Sequence, residues 1–143
     1  MANESEYDDI RDTEDLSFLH RLLKEALNVA HFIRMARNVP DDIRLAAVDI
    51  ELEAQQAIRF MNSIRSVEEL KSKRPPRLTK GIIKFTKAVR KESGKEPKYD
   101  SAEFKCIADF DKCRKHRGQK SALCHLAFFI CMGKRIIPFV RQK

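Results

Sequence analysis

Cys106, Cys113, Cys124 and Cys131 are the residues of this chain best placed to do chemistry, and their spacing restricts which chemistry that is. Each Cys-x6-Cys interval is close to two helical turns, so both thiols of a pair lie on one face of a helix. The two pairs are mirror images about the Gly118–Gln119 boundary. If the chain folds back there as an antiparallel helical hairpin, Cys106 faces Cys131 and Cys113 faces Cys124, the register that two interhelical disulfides need. The intervening positions agree: Phe110 falls opposite Ala127, Ile107 opposite Ile130, and Glu103 opposite Lys134. Two other uses of the same thiols remain open. Reduced cysteines would pack as small core hydrophobes, as cytosolic thiols do. A metal ion could gather only Cys113, His116 and Cys124, because about 10 Å of helix rise separates the two facing pairs; His125 is one residue off the face of Cys124.

Other catalytic chemistry has little to build on. The four glycines are isolated from one another, so there is no phosphate-cradling loop. The His-Glu-x-x-His, Gly-x-Ser-x-Gly and Cys-x-x-Cys patterns are absent from the sequence. Asp41–Asp42 and Asp49/Glu51/Glu53 are clusters of carboxylates, but alternating positions do not share a helix face. His20 and His31 stand three turns apart and read as packing or surface residues. The chain is therefore expected to be a non-enzyme with no catalytic residue, cofactor or metal.

Charge carries more information. The first fifteen residues hold seven acids against one base, whereas residues 71–143 hold 21 bases against six acids, within a formal net charge of +8. Lys80, Lys84, Lys87, Arg90 and Lys91 fall on one side of a helical pattern, and Arg114, Lys115 and Arg117 cluster at the hairpin turn. These eight are the candidate anion- or nucleic-acid-binding residues, suited to non-specific, salt-sensitive phosphate contact. Base stacking has poor support, since Tyr99 is the one obvious exposed ring in that half.

The elements that must position these groups are helical throughout. Residues 1–13 read as an acidic disordered tail. A first helix is predicted from about Asp15 to Arg37 on the stripe Leu16, Leu19, Leu23, Ala26, Ala30, Ile33. Pro40 with Asp41 and Asp42 opens a second, on Ile43, Ala46, Ala47, Ile50, Ala54, Ala57, Ile58, Met61 and Ile64. The short link makes them an antiparallel pair, and a turn capped by Ser66 completes a unit over 14–70. Residues 71–78, with Pro75–Pro76, form a basic linker and candidate domain boundary. The last unit, 79–143, holds a basic bridging helix from about Leu78 to Glu92 and the cysteine hairpin, which Asp100 and Glu103 open and Pro138 closes. The fold class is all-α: a helical bundle with a stapled C-terminal hairpin.

The hairpin resembles the twin Cys-xn-Cys helical hairpins of the coiled-coil-helix-coiled-coil-helix proteins of the mitochondrial intermembrane space, over Cys106–Cys131 and with a shorter spacing than that family's. The resemblance implies oxidative folding without a cleaved presequence. No secretory or transit signal is visible, so the cytoplasm is the default location and the intermembrane space follows if the disulfides form. Ala122–Gly133, the most apolar stretch, makes only about 18 Å of helix against a hydrocarbon core of roughly 30 Å. Leu123, Leu126, Phe128, Phe129 and Ile130 make that helix apolar almost all round, so other helices or a partner must cover it. The expected function is a structural or protein-interaction subunit, docking through the apolar hairpin and its basic surround. A homo-oligomer is compatible with this, and a nucleic-acid-binding module is the alternative.

Overall fold

A computed structural model describes the backbone of residues 6–93 and 101–141, and the side chains of 6–91 and 105–134. Asp12, in extended conformation, accepts the Asp15 N–H at 2.8 Å and so starts the first helix, α1 (Thr13–Met35), two residues earlier than the hydrophobic stripe predicts. Its buried residues Leu19, Leu22, Leu23, Ala26, Val29, Ala30 and Ile33 recur at three- and four-residue intervals, giving one apolar side. Arg44 donates to the carbonyls of Ala36 and Arg37, closing the end of α1 from the next helix, α2 (Asp41–Ser63). Pro40 supplies no side-chain cap to α2, and Asp41 and Asp42 meet its N-terminal dipole instead. The core side of α2 is rich in alanine (Ala46, Ala47, Ala54, Ala57), which lets neighbouring axes come close.

Ser66 accepts the Glu69 N–H at 3.1 Å and opens the short α3 (Val67–Ser72). Then come α4 (Lys80–Ser93), α5 (Ser101–Arg117) and α6 (Ala122–Arg141). Among the described residues there are six helices and no strand, and none is long and apolar enough to cross a membrane. The chain is an all-α bundle. α1 packs against α2 on one side and α6 on the other; α4 lies on α2 and also touches α6; α5 rests on α6. Phe85 of α4 meets Phe129 of α6 edge to face, with ring centroids 4.8 Å apart, inside the core. The predicted bridge between the N-terminal pair and the hairpin is thus shared, and α1 is the larger part of it.

Three expectations need correction. Residues 6–12 are packed: Tyr7 and Ile10 are buried, and the segment is a strap across one end of the bundle. Glu6 and Asp12 bond helix starts, and Asp9 bonds the Ser121 hydroxyl. The linker at 71–78 divides nothing, because Leu78 is fully enclosed, the Pro76 carbonyl accepts the Tyr7 hydroxyl at 2.7 Å, and a single core runs from α1 through α4 to α6. α6 continues through Pro138 to Arg141, although proline there removes one ladder bond and crowds the carbonyl one turn back. Lys134, which the mirror register places opposite Glu103, pairs with Glu25 of α1 at 2.5 Å, because α1 lies alongside α6. The side chain of Glu103, its expected partner, lies outside the described residues, as do Tyr99, Asp100 and residues 1–5 of the acidic segment.

Candidate functional site

The cysteines pair in the mirror register. Cys106–Cys131 and Cys113–Cys124 are disulfides, with Cα atoms 5.9 Å and 5.7 Å apart. The turn between the arms uses Gly118 at φ 112°, a left-handed conformation that glycine adopts without a steric penalty. Ser121 then caps α6, accepting the Cys124 N–H at 3.3 Å while its hydroxyl donates to Asp9 at 2.9 Å. Phe110 stacks on Phe128 at 4.4 Å and meets His125 edge-on at 5.0 Å, under the Arg114 guanidinium. Both sulfurs of the alternative metal set, Cys113 and Cys124, are bonded to each other, so neither is a thiolate ligand. His125 is buried beside them and contacts the Ser121 carbonyl through Nδ1 at 2.7 Å. Burial pushes its pKa below the usual value, with Arg114 adding to the effect and the Ser121 bond opposing it. A neutral ring donating from Nδ1 fits that site.

The large apolar residues of α6 among the described side chains are covered. Leu123, Leu126, Phe128, Phe129 and Ile130 are all buried, with α1, α4 and α5 packed against α6. The open apolar side chains lie elsewhere. Leu45 is 64% exposed and Leu52 is 52% exposed, seven residues apart on the outer side of α2, Ile83 is half open on α4, and Phe32 and Met35 are open on α1. Both leucines fall off the core stripe of α2, and that displacement was the available sequence signal for them.

Beside Leu45 runs a groove of about 340 Å³ between α2 and α4. Ala46 and Ala88 form its floor, Leu45 a wall, and Lys84, Lys87, Lys91 and Asp42 its rim. The helices are antiparallel, so Lys84 meets Asp49 at 2.8 Å and Lys91 meets Asp42 at 3.4 Å, two turns further along. The hydrogen bond to Asp49 raises the Lys84 pKa. Lys87, exposed between those two pairs, makes no ion pair among the described residues.

The eight candidate cations therefore do not share one surface. Lys80, Lys84, Lys87, Arg90 and Lys91 line the exposed side of α4. At the hairpin turn Arg114 pairs with Asp111 at 2.6 Å, and Arg117 reaches Asp9 at 3.4 Å and Asp15 at 3.6 Å. Asp9 is buried, so Arg117 works as a tie between hairpin and strap. Lys115 is exposed.

The acids of α2 part company as their alternation requires. Asp49 takes Lys84; Glu51 takes Arg34 at 2.5 Å and His31 at 3.1 Å; Glu53 accepts the Gly81 N–H at 2.9 Å. Burial opposes the charge on Glu51, but the Arg34 and His31 bonds outweigh it and lower its pKa. Glu53 goes the other way, up to about 7, because burial dominates and Asp49 and Glu6 add to it against the Gly81 N–H and Lys80. Its Oε2 is buried with no partner among the described residues, as suits a carboxyl that keeps its proton. Gly81 is required here, since a Cβ would lie 2.9 Å from Ile50 Cγ1.

Sequence reasoning missed the strap altogether. The Glu6 carboxylate accepts the N–H groups of Leu78 at 3.0 Å and Thr79 at 2.8 Å and also the Thr79 hydroxyl, so it caps α4. The Glu6 carbonyl accepts the Ala122 N–H at 2.7 Å at the start of α6. Burial, reinforced by Glu6 and Glu53, raises the Tyr7 pKa and keeps the phenol protonated. Among the described residues no group of three or more His, Cys, Asp or Glu side chains is arranged to hold a metal ion. Compared with known proteins, the chain matches no family model, no curated protein and no solved structure.

Proposed function

We propose that the chain is a non-enzymatic interaction subunit that docks on a partner through the outer face of α2 and α4. The carrying observation is that Leu45 and Leu52 stand in solvent on the outer side of α2, with Leu45 beside the lysines of α4, and that Ile83 is also open on α4. Scattered exposed apolar residues are ordinary, as Phe32 and Met35 of α1 are; an open leucine walling a groove rimmed by charge fits an interface. Native mass spectrometry of the natively purified chain tests this. A stoichiometric complex is expected, and it should dissociate in a folded Leu45→Glu, Leu52→Glu, Ile83→Glu variant. A complex that survives the triple substitution, or a chain that carries no partner, refutes the reading.

The exposure of Lys80, Lys87 and Lys115 supports nucleic-acid binding as a second reading. Phosphate would have to compete with Asp49 and Asp42 for Lys84 and Lys91, so binding should be weak and fall steeply with salt. Unchanged oligonucleotide affinity in Lys84→Ala, Lys87→Ala, Lys91→Ala rejects it.

A further inference from the structure

We propose that the groove between α2 and α4 receives an acidic amphipathic helix of a partner protein, with an apolar side chain on Ala46 and Ala88 and a carboxylate on Lys87. This rests on the docking-face reading above and names the occupant. The shape argues for an apolar anchor. Alanines at both floor positions leave a depression of about 340 Å³, and Leu45 walls one side with a largely exposed isobutyl group. A helix laid in a groove characteristically inserts anchors of this kind.

Charge selects the chemistry around the anchor. Lys84 and Lys91 stand at the two ends of the groove, two turns or about 10 Å apart along α4, and each already has an aspartate. Lys87 sits between them with no counter-ion among the described residues, so a cationic excess is centred over the apolar floor. A glutamate one turn from the anchor would meet it. A second copy of this chain is the poorer occupant, because it would bring its own lysines to the same place and each copy carries a formal charge of +8.

The test uses the full chain and two synthetic peptides. One carries a leucine stripe at helical spacing flanked by glutamates; the other has the same composition, scrambled. Fluorescence anisotropy gives affinity, and amide shifts at Ala46 and Ala88 locate binding. The striped peptide should bind at those amides, and the scrambled one should bind at least about tenfold more weakly. Lys87→Glu and Leu45→Glu should each weaken the striped peptide by about tenfold, with Lys87→Gln and Leu45→Ala as milder substitutions at the same exposed positions.

Equal binding of the two peptides, or no effect of the variants, overturns the proposal. So does a single-stranded RNA that outcompetes the striped peptide at the same amides, or sedimentation as a dimer that Leu45→Glu dissolves. A native complex lost in the triple variant, with no binding of the striped peptide, removes this occupant and leaves the docking face standing. Loss of both expectations removes both readings.

Discussion

Glu6 offers the sharpest test of how the bundle closes. Its carboxylate takes two backbone N–H groups and a hydroxyl at the start of α4, the role usually played by a capping side chain within the helix's own sequence. Removing a cap costs about 0.5–2 kcal/mol, and losing a negative charge at a helix N-terminus about 0.3–1 kcal/mol more. Glu6 is only half-buried, and the freed Thr79 hydroxyl can turn back to cap its own helix, so the sum is trimmed. Glu6→Ala should therefore lose about 2 kcal/mol, and Glu6→Gln, which keeps one acceptor oxygen, about 1 kcal/mol. The strap itself should stay docked. Tyr7 and Ile10 remain enclosed, and burying each such side chain is worth about 1.5–3 kcal/mol. Urea denaturation followed by circular dichroism gives the stability loss, and hydrogen exchange locates it. In Glu6→Ala the Leu78 and Thr79 amides should exchange faster, while the Ala122 amide, bonded to the Glu6 backbone carbonyl, keeps its protection. A loss under about 0.5 kcal/mol refutes the capping role. Equal deprotection at Ala122 refutes the claim that the strap is anchored by its apolar residues.

Two further outcomes follow from the same geometry. Glu53 holds its proton up to about pH 7 in the folded chain, against an ordinary value of 4.5. Between those values the folded state binds a proton that the unfolded chain has released, so stability falls as pH rises through the window and levels off above it. Allowing for solvent screening, the fall is about 1–2 kcal/mol, and Glu53→Gln should remove it and be the more stable form above neutral pH; denaturation curves on both sides of the window check this, and an unchanged slope in Glu53→Gln contradicts it. Reduction should add about four mass units to the intact chain and cost about 3 kcal/mol for one bridge and less for the other, whose loop is nested with it. Hydrogen exchange of the reduced, alkylated chain should show α5 deprotected while α1 and α2 stay protected, and uniform deprotection would contradict a locally acting staple.

What was readable from the sequence was local or symmetric. Ser66 and the Asp41–Asp42 pair mark helix starts because capping and dipole effects act within one turn. The disulfide register was readable because mirror spacing permits one facing arrangement without knowledge of any other helix. The failures were non-local. Glu4, Glu6, Asp8, Asp9 and Asp12 read as a solvated tail, since nothing nearby in sequence shows that Glu6 caps a helix more than seventy residues away. Tyr7 and Ile10, spaced by three among those acids, were the overlooked signal of packing. The lysines of α4 were legible as a basic face, but their pairing with Asp49 and Asp42 depends on the antiparallel register of α2 and α4, which composition does not carry. The apolar α6 plainly needed a cover, yet only the folded bundle shows that α1, α4 and α5 provide it.

The strap and the staple complete the bundle in complementary ways. α1, α4 and α6 all begin at the strap end, where three positive helix termini meet; Asp12 caps the first, Glu6 the second, and Asp9 holds the Ser121 that caps the third. An acidic lead segment on a basic chain is thus used as a counter-charge for aligned dipoles, with Arg117 balancing Asp9 and Asp15. α5 has no comparable claim on the core. Cys106 is the one buried residue among its described side chains, with Ile107, Phe110 and Cys113 half-covered, and the helix rests on α6. So thin an apolar contact offsets little of the entropy of ordering the helix, and two covalent ties supply what burial does not. Holding α5 there covers described apolar side chains of α6, while Leu45, Leu52 and Ile83 stay in solvent on α2 and α4 and Phe32 and Met35 on α1.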